Sequence, residues 1–220
     1  MMKTEIRTTA DGSKTLYVPE LDEHYHSTFG ALTESKHVFI RTGLHFALKR
    51  FDEIRLLEIG FGTGLNALLT LLEMPEKKIS YTALEPFPVE MKTITALKYH
   101  NLLTPQENIL FGRIHRAACG KIYKITHRFE LLKLKSTIQE VVLPGLYNLV
   151  YFDAFAPDVQ PELWSTGIFE KIAERMTEGG ILTTYSAKGD VRRSLQQAGF
   201  AVERIAGPPG KRHITRAVKL

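Results

Sequence analysis

Three glycines wedged between a strand-like run and a helix-like run constrain this chain more than any other feature. Ile54-Arg55-Leu56-Leu57-Glu58-Ile59 is short and mostly apolar and stops at Gly60. Gly60-Phe61-Gly62-Thr63-Gly64 follows, and Leu65 to Met74 reads as a buried helix ended by Pro75. Glycines at this density let the backbone turn sharply and approach a ligand closely. The helix beyond offers unpaired N–H groups in its first turn. Strand, glycine turn and helix open a doubly wound α/β sheet, whose ligand crevice lies at the carboxyl ends of the strands.

The remainder alternates in the same way. Ile79 to Leu84 reads as a strand closed by Glu85-Pro86, and Pro88 to Asn101 as a helix with Pro88 in its first turn. Leu146 to Phe152 is a third clear strand ending at Asp153, and Pro161 to Met176 is helical. Gly180 to Tyr185 is a strand, Asp190 to Ala198 a helix, and Phe200 to Arg204 and His213 to Val218 are terminal strands. This alternation predicts a mostly parallel, seven-stranded sheet covered on both faces. The segment 110–143 breaks the rhythm. Ile114-His115-Arg116 and Ile122 to Ile125 flank Cys119-Gly120, which reads as an inserted β-hairpin, and Phe129 to Leu134 is the strand the alternation still needs. The first fifty residues differ in character. They carry turn signals at Asp11-Gly12-Ser13 and Val18-Pro19, a short strand at Leu16-Tyr17-Val18 and a helical stretch over 33–49. The expected organisation is an N-terminal extension, 1–50, packed on one domain, 51–220.

A chain of 220 residues suits one well-cored domain, and 44% hydrophobic with 24% charged residues excludes a disordered chain. No run of eighteen apolar residues is present, and the first residues lack the apolar core of a signal peptide. No membrane association is therefore expected. Cys119 is the only cysteine, which excludes an intramolecular disulfide and a paired-cysteine metal site and gives a reducing, cytoplasmic setting as the expectation. His24, His26 and His37 lack a matching set of ligands, so they read as surface histidines and no metal is expected. The net charge of +5 favours a polyanionic partner.

Glycine spacing narrows the cofactor. A dinucleotide site has the pattern G-x-G-x-x-G. Here the third glycine comes one residue early and Glu58 precedes the loop, the form associated with S-adenosylmethionine. Glu85 ends the next strand, 21 residues after Gly64, where it is placed to accept hydrogen bonds from both ribose hydroxyls. The candidate cofactor residues are Glu58, Gly60, Phe61, Gly62, Thr63, Gly64, Asn66, Glu85 and Pro86, with Asp153 at the neighbouring strand end. A plain glycine turn in some other α/β protein is the alternative. In Asp153-Ala154-Phe155-Ala156-Pro157 the acid either meets a substrate or caps a turn. Pro157 would stiffen that loop, and Phe155 and Trp164 would wall the site.

Several strings together resemble one family. They are the glycine loop through Leu65-Asn66; Asp153-x-Phe155-Ala156-Pro157 with Pro161 and Trp164; Gly179-Gly180-x-Leu182-x-Thr184; and Gly189-x-Val191-Arg192-Arg193-x-Leu195-Gln196-x-Ala198-Gly199-Phe200. Gly210-Lys211-Arg212 and Asp22-Glu23-x-Tyr25-x-Ser27, with Glu34 and Val38-Phe39, extend the likeness over residues 15–218. The resemblance is to the methyltransferase domain of the bifunctional tRNA 5-methylaminomethyl-2-thiouridine biosynthesis proteins. It implies a class I fold and methyl transfer from S-adenosyl-L-methionine to the aminomethyl nitrogen on carbon 5 of a wobble uridine. It also implies a stand-alone form without the FAD-binding oxidoreductase domain of the bifunctional members. Asp153 would then sit beside the acceptor amine, with Tyr25 a second polar contact. Phe155, Pro157 and Trp164 would face the substrate. By their charge and position Arg192, Lys211 and Arg212 either meet tRNA phosphates or lie on a solvated helix face and strand edge. Arg193, Arg204 and Arg216 belong to the same basic third of the chain. Arg192 and Arg193 cannot share one helix face. One departure stands out. The family carries a Gly-Asp pair after its third strand, where this chain has Leu132-Lys133-Leu134-Lys135-Ser136. The rival readings are a methyltransferase of a small-molecule or protein amine, an aminopropyl transferase, and a non-catalytic RNA-binding module.

Overall fold

Residues 3–74 and 76–220 are described by a computed structural model, with the backbone alone for His100 and Leu102. Pro75, the expected helix end, lies outside the described residues. A small antiparallel sheet comes first, of β1 (Glu5–Thr8), β2 (Lys14–Val18) and β3 (Glu23–His24) in that order. A continuous helical segment follows, made of α1 (Ala31–Ser35), a π-helical stretch Lys36–Leu44 and α2 (His45–Ala47). The alternating part then runs β4 (Ile54–Ile59), α3 (Leu65–Glu73), β5 (Ile79–Leu84), α4 (Met91–Ala96), a 3-10 turn Tyr99–Leu102 and α5 (Pro105–Arg116). It continues with β6 (Ile122–Lys124), β7 (Phe129–Leu134), β8 (Tyr147–Phe152), a 3-10 turn Pro161–Trp164, α6 (Thr166–Ala173), β9 (Met176–Thr184), α7 (Gly189–Gln197), β10 (Phe200–Ala206) and β11 (His213–Lys219).

The main sheet has eight strands in the order β10-β11-β9-β8-β4-β5-β7-β6. The five from β9 to β7 run parallel, and β10, β11 and β6 are antiparallel to their neighbours. Chain order reverses between β4 and β8, which opens the crevice at their carboxyl ends. Every residue of β8 is buried, as a strand covered on both faces requires. Successive side chains feed two cores: Leu56 and Tyr151 join one, and Leu57 and Phe152 the other. Among the described residues no helix is long and apolar enough to cross a membrane.

Seven of these strands match the expected sheet, and β6 adds an eighth at its edge. The hairpin differs from expectation. Its arms are β6 and β7, with Ile122 opposite Leu132, while Ile114-His115-Arg116 forms the last turn of α5. A capping box starts that helix: Glu107 N–H donates to Thr104 Oγ1 at 3.3 Å and Thr104 N–H to Glu107 Oε2 at 2.7 Å, with Pro105 in the first turn. Lys133 Nζ closes its far end on the carbonyls of Ile114 and His115 at 3.0 and 3.1 Å. The helix expected over Pro88 to Asn101 is shorter. It runs only from Met91 to Ala96, and Lys98 just beyond it has φ of 56°.

Candidate functional site

The carboxyl ends of β4, β5, β7, β8 and β9, with the segment after β3, surround a cavity of about 440 Å³. Gly60 sets its floor. With φ of +89°, any Cβ there would press into the backbone carbonyl of Asp153 and lie 3.0 Å from its carbon. The ends of β4 and β8 therefore meet with no room for a side chain. Gly62 N–H donates to Glu85 Oε2 and Phe87 N–H to Glu85 Oε1, both at 2.9 Å. Two backbone donors hold this carboxylate at the cavity wall, and each oxygen keeps a further lone pair. Burial raises the Glu85 pKa, and the two N–H bonds oppose that rise.

Asp153, at the end of β8, also lines the cavity and is held by a relay. Asn66 Nδ2 donates to Glu58 Oε1 at 3.0 Å and to Asp153 Oδ2 at 2.8 Å. Glu58 is wholly buried behind the relay and does not line the cavity. Burial raises the Asp153 pKa to about 8, helped by the charge of Glu34 and opposed by the Asn66 bond and the Lys211 charge. The N-terminal segment closes the other side. Tyr25 meets Phe155 edge-on at 5.3 Å and covers Gly62. Burial, with the charge of Glu85, raises its pKa to about 12.

Phe61, Thr63, Asn66, Pro86 and Phe155 line the cavity, whereas Gly64 caps α3 against Phe61 and His115. Trp164 is not a wall. It is buried against Phe152 and Tyr185, and its Nε1 donates to the Phe155 carbonyl at 2.9 Å, so it pins the loop from behind. Pro157 stands outside the lining as well. Trp164→Phe is expected to lose about 1–2 kcal/mol of stability, because the carbonyl loses its donor. The check is a melting temperature lowered by about 2–4 °C per kcal/mol.

Lys211, expected among the tRNA contacts, is placed by the structure at the cavity. It lies in the cavity wall, 3.2 Å from Glu34 Oε1 and 4.5 Å above the Tyr185 ring. Glu34 also accepts from Ser27 N–H at 2.8 Å, and Tyr185 donates its hydroxyl to the Ala154 carbonyl at 2.8 Å. Arg192, half-buried on α7, and Arg212, exposed, do not line the cavity. His26 is a buried residue, not a surface one. Thr15 and Thr63 hydroxyls stand 3.3 and 3.4 Å from its ring nitrogens, and burial pushes its pKa down to about 4. Among the described residues no group of three or more His, Cys, Asp or Glu side chains is placed to hold a metal.

Sequence reasoning missed Tyr185, His26 and the segment Ser136 to Gln139, all of which line the cavity. Tyr185 directly follows β9, as Glu85 follows β5 and Asp153 follows β8, so the strand-end rule was signal enough. Ser136 to Gln139 follow β7, where the resemblance leads one to expect an acid. They offer two hydroxyls and an amide instead, while Lys133 is turned back onto α5.

Comparison with known proteins adds to this geometry. Residues 116–220 match the family described as S-adenosyl-L-methionine-dependent methyltransferase. The chain is 29% identical to the tRNA 5-methylaminomethyl-2-thiouridine biosynthesis bifunctional protein MnmC of Paraburkholderia phymatum, over 90% of this chain and 32% of that protein. The protein of the same description from Burkholderia pseudomallei is 30% identical, over 90% of this chain and 33% of its own length. The chain thus spans about a third of the length of these curated relatives. The crystal structure of MNMC2 from Aquifex aeolicus superposes with a TM-score of 0.76 at 30% identity, covering 99% of this chain and 70% of that one. Spermidine synthase from Thermotoga maritima shares the fold alone, with a TM-score of 0.56 at 13% identity over 100% of this chain and 74% of its own.

Proposed function

Because this chain belongs to the S-adenosyl-L-methionine-dependent methyltransferase family that includes MNMC2 of Aquifex aeolicus, we propose that it methylates the 5-aminomethyl nitrogen of wobble (thio)uridine in tRNA, giving 5-methylaminomethyl-2-thiouridine. A cytoplasmic setting goes with this reading. The first fifty residues act as an extension that completes the site of the domain 51–220, lending it Tyr25, His26 and Glu34.

The residues present suit S-adenosyl-L-methionine. The floor at Gly60 admits no side chain, Tyr25 lies close over Gly62, and the cavity volume is in the range of small-molecule sites. Glu85 would hold the ribose hydroxyls with its free lone pairs. Phe87 and Ser136 to Gln139 border the end of the cavity beside Glu85 and would hold the adenine, in place of the acid found in the family. Asp153, once ionised, would favour a cationic ligand, whereas Glu34 is already paired with Lys211. When bound, the cofactor would supply an electrophilic methyl group on a sulfonium, open to in-line attack by a neutral amine with a thioether as the leaving group.

Asp153 is the observation that carries the reading: a carboxylate at the end of β8, oriented by Asn66 and facing the cavity. It would accept a hydrogen bond from the acceptor amine and aim the nitrogen lone pair. Asp153 would also stabilise the positive charge that the acceptor nitrogen gains on methylation. A carboxylate raises the pKa of a nearby amine, so its contribution is orientation and charge stabilisation, with the proton leaving afterwards. Tyr25, Phe155 and Tyr185 would keep water from the reacting atoms.

The test is methyl transfer from labelled cofactor to tRNA of cells blocked at the aminomethyl stage, followed by nucleoside analysis. Label is expected in 5-methylaminomethyl-2-thiouridine. Label in free amines or proteins, and in no nucleoside, would overturn the assignment.

A further inference from the structure

Beside the cavity mouth lies a surface that the methyl-transfer chemistry does not use. Phe29 lines the cavity yet is 55% exposed. Its inner face rests on Gly210, which has φ of +83°; a Cβ there would come within 2.6 Å of Phe29 Cγ. Both supporting loops are pinned. Phe29 N–H donates to Ser27 Oγ at 3.2 Å, Gly30 N–H to the Ser27 carbonyl at 3.1 Å and Lys211 N–H to the Pro208 carbonyl at 3.0 Å. An aromatic ring is thus held rigidly with one face open.

Cationic groups continue from this ring along β10, β11 and α7. Arg204 Nη2 lies 2.9 Å from His213 Nδ1. Arg212 directly precedes His213 in the chain, and α7, which carries Arg192, packs against β10. Their neighbours are neutralised: Arg193 pairs with Asp190, and Arg216 with Glu203. Among the described residues no carboxylate pairs with Arg192, Arg204 or Arg212. The rim therefore combines an open aromatic face at the cavity with uncompensated positive charge beside it, joined through Gly210-Lys211, which line the cavity and lead directly to Arg212. A single-stranded nucleic acid offers the matching pair, base faces and phosphates.

We propose that Phe29, Arg192, Arg204 and Arg212 form an RNA-docking rim, with Phe29 stacking on a nucleobase adjoining the acceptor nucleotide and the arginines lying along its phosphates. This rests on the tRNA reading above and adds Phe29 and Arg204 to it. Because the ring is already fixed, little ordering cost opposes stacking.

Steady-state methylation of aminomethyl-stage tRNA tests it, alongside cofactor titration. Phe29→Ala is expected to raise KM for tRNA about tenfold or more, with Phe29→Trp close to the parent enzyme and cofactor Kd unchanged in both. The exposed pair Arg204→Gln and Arg212→Gln, which leaves the cavity intact, is expected to reduce the slope of log Kd for tRNA against log salt by about 0.7–0.9 per guanidinium removed. A tRNA KM within twofold of the parent in Phe29→Ala, together with an unchanged salt slope in the double variant, would overturn the rim while leaving the methylation reading intact. Absence of label in any tRNA nucleoside with the parent enzyme would overturn both.

Discussion

Asp153→Asn is expected to lower kcat by roughly two to three orders of magnitude, the usual loss when one pre-aimed group is removed from a developing charge. The replacement keeps size and lets Asn66 still donate to an oxygen at position 153, so the loop should keep its shape. Stability should not fall. Folding raises the Asp153 pKa from 3.8 to about 8, so the ionised form is disfavoured in the native state. Its contribution therefore becomes less favourable as pH rises from about 4 to about 8, and a neutral amide removes that penalty. The same shift gives a second readout. A bound sulfonium stabilises the carboxylate, so cofactor affinity should climb as pH rises towards about 8 and flatten above it, with protons released on binding below that value. The climb should shrink in Asp153→Asn and should be weaker for the demethylated product, whose sulfur is uncharged. Single-turnover rates with calorimetry in two buffers measure both effects. A kcat within threefold of the parent enzyme would remove Asp153 from the reaction.

The parts of this site that were legible in the sequence are the ones fixed by local rules. Glu85 and Asp153 could be found because an open parallel sheet presents the residues at its strand ends to one crevice. The strands themselves were visible because both faces are buried, so β8 is apolar almost throughout. What was hidden depends on partners distant in the chain. Lys211 reads as one more surface cation until Glu34, on a helix near the other terminus, is brought to 3.2 Å. Trp164 has two uses for a large ring, and only the Phe155 carbonyl decides between wall and anchor. His26 looks exposed among Tyr25 and Ser27, yet hydroxyls from Thr15 and Thr63 enclose it. In α5 a local signal was present, Thr104-Pro105-Gln106-Glu107, but the apolar Ile114 beside Cys119-Gly120 suggested a strand.

Gly60→Ala is expected to have the largest effect on stability, about 3–5 kcal/mol, from positive-φ strain together with a steric clash. At φ of +89° an L side chain is strained before any contact is counted. The methyl group would also meet the Asp153 carbonyl, which is backbone and cannot rotate away. Relief requires the end of β4 to separate from the end of β8. That movement would draw Asn66 from Asp153, because this bond crosses the same seam, and would shift the glycine loop that Gly62 anchors on Glu85 at the end of β5. Cofactor affinity should therefore fall along with the melting temperature, by about 10 °C for a domain of this size. Gly167→Ala is the control. It sits in α6 with open space around it, where alanine gains about 0.5–1 kcal/mol from helix propensity. Opposite signs for the two glycines would show that the seam, and not glycine content, supports the site. A Gly60→Ala protein that melts within 2 °C of the parent and binds cofactor as tightly would sink the argument that β4 and β8 must touch for the cavity to form.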